Sequence, residues 1–256
     1  MRVIVSSNRF KNWLLRAWVL LTVAGFLVEV FKHLLVALDL GRIVKFLGLS
    51  YEQNLPTWYS SSLLLLSAFH LGLIALATRQ AGGRFVFHWW LLAAAFLYIS
   101  LDETAEIHEN ASHWFNFGGF LYFGWVIPAS IIVAVFGLSY VAFLFHLPGR
   151  TRNQFIVSGA IYVGGALGVE FLLGYWTDLE GSHNLVYGLI DLVEESMEIL
   201  GVTLFLCSLI EYLARPSGRI AIRVRGAAVS DHRADGGPTK PDIEAGELEE
   251  AGISRL

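Results

Sequence analysis

Six long apolar runs constrain this chain more than any motif does. They fall near residues 13–38, 57–78, 85–109, 119–146, 153–176 and 186–213. Each is long enough to cross a hydrocarbon core, which takes about 20 apolar residues in a helix. None alternates in the manner of a barrel strand, and a helix is the other way to satisfy a spanning backbone in lipid. The expected fold is therefore all-α: a polytopic membrane helical bundle with six transmembrane helices. Composition agrees, with 55% hydrophobic residues, 14% aromatic residues and a mean hydropathy of +0.57, well above an ordinary soluble domain.

The runs divide the 256 residues into three parts. A short segment, 1–12, precedes a transmembrane domain over 13–213. A basic stretch and a tail, 214–256, follow. Residues 226–256 are rich in Gly, Ala, Asp and Glu and read as a disordered tail. The first run resembles a secretory signal, with Arg2, Arg9, Lys11 and Arg16 before an apolar core. However, it contains Glu29, Lys32 and His33 and lacks a small-x-small cleavage site, so an uncleaved first helix is expected. The single Cys207 rules out an internal disulfide framework.

Orientation follows from the positive-inside rule. One set of connections collects Arg2, Arg9, Lys11, Arg16, Arg79, Arg84, Arg150, Arg152, Arg215, Arg219, Arg223 and Arg225, and the other holds Arg42 and Lys45. An even number of spans then puts both termini in the cytoplasm, and a bacterial inner membrane is the expected location. The lipid bilayer is the first partner, and nucleic acid is not expected.

Acids interrupt these runs where charge is costly. Residues 101–109 read LDETAEIHE, and residues 191–198 read DLVEESME. Ionisable groups inside or beside a bilayer need a partner, a proton or water, and so mark functional sites. Counting from the inner ends at about 1.5 Å per residue, Glu29, Asp102, Glu170 and Glu198 all come out about 22–26 Å up. Four spans thus deliver a carboxylate to one level of the outer leaflet. At about 100° per residue, Asp102, Glu106, Glu109 and His113 form one stripe of the third helix, with Glu103 and His108 on its flanks. Asp191, Glu194, Glu195 and Glu198 cover one face of the sixth.

Two placements of these acids stand open. The third and sixth helices extend into water, or the acids converge in a cavity within the bundle. Glu170, set in the apolar run GGALGVEFLL, and Glu29 in a similar setting favour the second. Gly164, Gly165 and Gly168 form a small-xxx-small face that lets a neighbouring helix approach Glu170. Pro128 is expected to kink the fourth span.

Lys32, Arg42 and Lys45 cannot neutralise so many carboxylates, whereas a multivalent cation can. Carboxylates with imidazole suit Zn, Mn or Fe, and Ca or Mg where oxygen dominates. The expected ligands are Asp102, Glu106, His108, Glu109, Glu170, Glu194 and Glu198, with Glu103 and Glu195 left for acid–base work. The helical Glu-x-x-His pairs of di-iron bundles are missing, since the one such spacing, Glu180 to His183, lies in a loop. No nucleotide loop, CxxC pair, HExxH or G-x-S-x-G is present. The leading expectation is a metal-dependent hydrolase or oxidoreductase acting on a membrane-associated lipid or isoprenoid. The alternatives are a proton- or cation-coupled transporter, or a non-catalytic assembly subunit.

Overall fold

A computed structural model describes residues 7–108 and 119–214, and every structural statement below concerns these. Their regular elements are all helices, with no strand among them. Helix α1 runs Ser7–Ala37 and a short α2 follows at Gly41–Leu47. Next come α3 at Leu55–Gln80, α4 at Val86–Ala105 and a 3-10 turn at Gly119–Leu121. The chain continues with α5 at Val126–His146 and α6 at Gly149–Val163. A π-helical turn, Gly164–Val169, joins α6 to α7 at Glu170–Glu180, and α8 at Leu185–Leu213 is last.

Local chemistry sets several of these boundaries. Asn54 caps α3 by accepting from the Thr57 N–H at 3.1 Å, with Pro56 in the first turn. Asn184 does the same for α8, accepting from the Tyr187 N–H at 2.9 Å. Both side chains satisfy first-turn donors that would otherwise be orphaned. The expected kink at Pro128 does not form. Helix α5 begins at Val126, so the proline occupies the first turn, where a missing N–H breaks no ladder bond.

Five helical segments are long and apolar enough to cross a membrane: Arg9–Ala37, Leu55–Gln80, Val126–His146, Gly149–Glu180 and Leu185–Leu213. This supports an integral membrane protein. The third expected span is shorter than the sequence implied. It ends at Ala105, because Glu106 turns left-handed (φ 52°) and its N–H bonds back to the Asp102 carbonyl at 2.8 Å.

Helix α8 is the central element. It packs against α1, α3, α6, the π-turn and α7, while α4 packs on α3. An aromatic layer of Trp89, Phe143, Phe155 and Phe205 fills one part of the core. A second layer of Leu63, Leu64, Ile199, Val202 and Leu206, each at most 2% exposed, lies between α3 and α8. Helices α1 and α5 show large apolar side chains outward, among them Leu20, Phe31, Ile132 and Leu138. Such faces suit lipid tails.

Candidate functional site

Helix α8 supplies the floor of an acidic cluster with Glu194, Glu195 and Glu198 on consecutive turns of one face. Glu198 is its hub. It interacts electrostatically with Glu103 of α4, His108 beyond α4 and Glu170 of α7, and it shares a hydrogen-bonding contact with Tyr162 of α6. Glu195 faces Glu198, Glu103 and Asp191, and also Glu52 from the segment between α2 and α3. Glu170 and Glu194, only 8% and 7% exposed, place their carboxyl groups against each other. Two carboxyl groups meet in this way only with a proton or a cation between them. Glu194 Oε2 is buried with no well-formed hydrogen bond among the described residues.

Serine contacts decide which face of α4 looks inward. Ser61 Oγ donates to the Ser100 carbonyl at 2.8 Å, and Ser100 Oγ returns a bond to the Ser61 carbonyl at 2.9 Å. That pairing locks α4 to α3. Glu103, one turn beyond Ser100, then meets Ser60 and joins the cluster. The expected stripe of the third span is interrupted after Asp102, because the helix ends at Ala105 and Glu106 turns left-handed. Glu103, placed on the flank by sequence reasoning, points into the site instead.

Asp102 and Glu106 take other roles. Asp102 Oδ2 lies 2.8 Å from His108 Nδ1, and its Oδ1 accepts from the His108 backbone N–H at 3.0 Å. The aspartate therefore orients the imidazole, which also lies against the Trp125 ring, tilted by 55° with centroids 4.8 Å apart. His108 in turn interacts with Glu103 and Glu198. Trp125 Nε1 donates to Glu170 Oε1 at 3.2 Å. Glu106 accepts from Gln53 Nε2 at 2.9 Å. Glu109 and His113 lie outside the described residues.

Glu29 was expected at the same depth as Asp102, Glu170 and Glu198. It is buried at 5% exposure, but it pairs with Lys32 at 3.2 Å and packs on Gly188 of α8. Lys32 also sits over the Tyr51 ring, 5.3 Å from its centroid. The glycine face of the fifth span is only partly used. A side chain at Gly165 would meet the Glu194 carbonyl at 2.9 Å, whereas Gly168 faces open space.

Sequence reasoning missed Tyr162, Ser60, Glu52 and Trp125. The first three come from helices or loops without an acidic motif, and only folding sets them beside one. Among the described residues, no three His, Cys, Asp or Glu side chains converge tightly enough to hold a metal ion as they stand. The donor types nonetheless fit one: imidazole backed by a carboxylate, beside several further carboxylates.

The family model of a domain of unknown function, DUF8692, matches residues 13–212. The chain belongs to this family. No curated protein and no solved structure matches it. In this DUF8692 member the matched region contains every residue of the acidic cluster, from Glu52 on the segment after α2 to Glu198 on α8.

Proposed function

We propose that this protein is a metal-dependent membrane enzyme, a hydrolase or oxidoreductase, whose site is the acidic cluster around Glu198. One observation carries the reading: His108, oriented by Asp102, shares a mutual set of interactions with Glu103 and Glu198. A carboxylate–histidine pair facing further carboxylates is the donor arrangement that suits a divalent ion, with Zn, Mn or Fe preferred over Ca or Mg. His108, Glu198 and Glu103 form the primary donor set. Glu170, Glu194 and Glu195 surround it, Asp102 orients His108, and whichever carboxyl remains unligated serves as acid or base. When bound, the ion would activate water or polarise a substrate oxygen.

A site is favoured over a transport pathway by what lies beneath the acids. Leu63, Leu64, Ile199, Val202 and Leu206 are almost fully buried there, starting at the residue after Glu198. A proton or cation route needs polar groups or water to continue inward. This largely apolar layer, in which Ser67 and Thr203 are the buried polar side chains, supports a site over a route.

The membrane frame of this reading has α4 as a sixth crossing and both termini in the cytoplasm of a bacterial inner membrane. Helix α4 has 20 residues, about 30 Å of rise, which matches a hydrocarbon core. The cluster then opens toward the outer leaflet, and the substrate class is a membrane-associated lipid or isoprenoid.

The deciding experiment measures metal in detergent-purified protein, beside a Glu103→Gln/Glu198→Gln variant of equal helicity. Stoichiometric metal in the parent and its loss in the variant are expected. Equal metal in both, or none in either after exposure to Zn, Mn, Fe and Ca, would overturn the reading.

A further inference from the structure

Tyr162 closes the last full turn of α6, outside every acidic motif. Its hydroxyl reaches Glu198, and the ring also senses Glu103 and Glu195. Two glycines make that reach possible. A methyl group at Gly201 of α8 would lie 2.7 Å from both the Tyr162 Cβ and its backbone nitrogen, and one at Gly165 would lie 3.3 Å from Glu198 Cγ. Helix α6 at Tyr162 and the π-turn at Gly165 therefore both approach α8 closely, on either side of the Tyr162–Glu198 contact. Such close approach is what small residues permit in membrane helices.

The π-turn explains how one helix serves the cluster twice. Tyr162 and Glu170 are eight residues apart, which in an uninterrupted α-helix separates them by about 80° around the axis. The turn Gly164–Val169 takes up one residue without advancing the rotation. The effective offset falls to about 20°, so both side chains face α8. Their partners agree: Glu198 for Tyr162 and Glu194 for Glu170. Single π-turns recur at functional sites, and this one aligns a phenol and a carboxyl with the same acidic face.

We propose that Tyr162 is a positioning residue of this site, holding the Glu198 carboxyl by its hydroxyl, and that the π-turn Gly164–Val169 is what sets Tyr162 and Glu170 on one face. Glu198 is the carboxyl on which the cluster converges, so fixing it fixes the donor set. The part of this inference that concerns metal affinity rests on the function proposed above, whereas the Tyr162–Glu198 contact does not.

The test uses the full chain in detergent or nanodiscs and reads infrared carboxyl absorption together with metal affinity. The Glu198 band is identified by its loss in Glu198→Gln. Tyr162→Phe is expected to shift that band, while Tyr59→Phe, whose hydroxyl bonds the Leu14 carbonyl instead, leaves it in place. An unshifted band in Tyr162→Phe overturns the proposal. Should Tyr162→Phe not fold, the ring C–O stretch of isotope-labelled tyrosine in the parent and in Glu198→Gln reads the same contact from the other side. There, an unchanged stretch overturns it. For Zn or Mn, Tyr162→Phe is expected to bind about 10–100-fold more weakly, and equal affinity overturns the positioning role. A shifted band in a parent that binds no metal sinks the metal reading and leaves the Tyr162–Glu198 contact established.

Discussion

Asp102 holds His108 at two points, through Nδ1 at 2.8 Å and through the backbone N–H at 3.0 Å. The double grip fixes both the position of the ring and its tautomer. With Nδ1–H donated to the carboxylate, the other ring nitrogen is the basic one.

Asp102→Asn tests this arrangement. The backbone N–H of His108 must keep an acceptor, so the amide oxygen stays there and the amide NH2 faces Nδ1. The imidazole proton then moves to the other nitrogen. Metal affinity should drop about 10–100-fold with helicity retained. Titration calorimetry showing parental affinity would refute the orienting role.

Glu170 and Glu194 bring two carboxyl groups together inside the bundle. Such contacts are held for function at a cost in stability. Glu194→Gln replaces one carboxyl with a group that can donate to the other. It should raise thermal stability by about 1 kcal/mol while lowering metal occupancy. A lower melting temperature with metal retained would contradict the assignment.

Glycine substitutions should separate contact from open space. Gly201→Ala drives a methyl group into the backbone of Tyr162 and should cost about 1–3 kcal/mol, as overpacking does. Gly159→Ala on α6 meets nothing within 4 Å and should stabilise by about 0.5–1 kcal/mol. Melting temperatures of the two variants that move together would count against the α6–α8 contact.

The Glu29–Lys32 pair should behave as a unit. Lys32→Met leaves a buried carboxylate without its cation, a loss of about 1–3 kcal/mol. Adding Glu29→Gln to Lys32→Met should restore most of it. If the double variant is as unstable as the single one, Lys32 stabilises the fold through packing and not through its charge.

The positions of the long helices were legible in the sequence because lipid imposes a length and a composition on every crossing. Five of the six expected runs form helices long and apolar enough to span. The remaining run, 85–109, stops as a helix at Ala105, through a backbone turn at Glu106 that hydropathy does not report. The acids of α8 were legible as well, since a fixed helical period puts Glu194, Glu195 and Glu198 on one side.

Partnership was not legible. Depth counting put Glu29 level with the cluster, yet Lys32, one turn away, takes it as an ion partner. Angular counting placed Glu103 on the flank, but the Ser61–Ser100 contact sets the rotation of α4 and brings Glu103 into the cluster. Tyr162 has no sequence signal at all. Its place depends on the glycine contact at Gly201, a property of two helices packed together, and its alignment with Glu170 depends on a π-turn. The sequence by itself determined a helical membrane protein with misplaced charge, because hydrophobic length and helical period are local. Which charges meet was decided only by tertiary structure, because helix rotation, helix termination and backbone contact are settled between segments far apart in the chain.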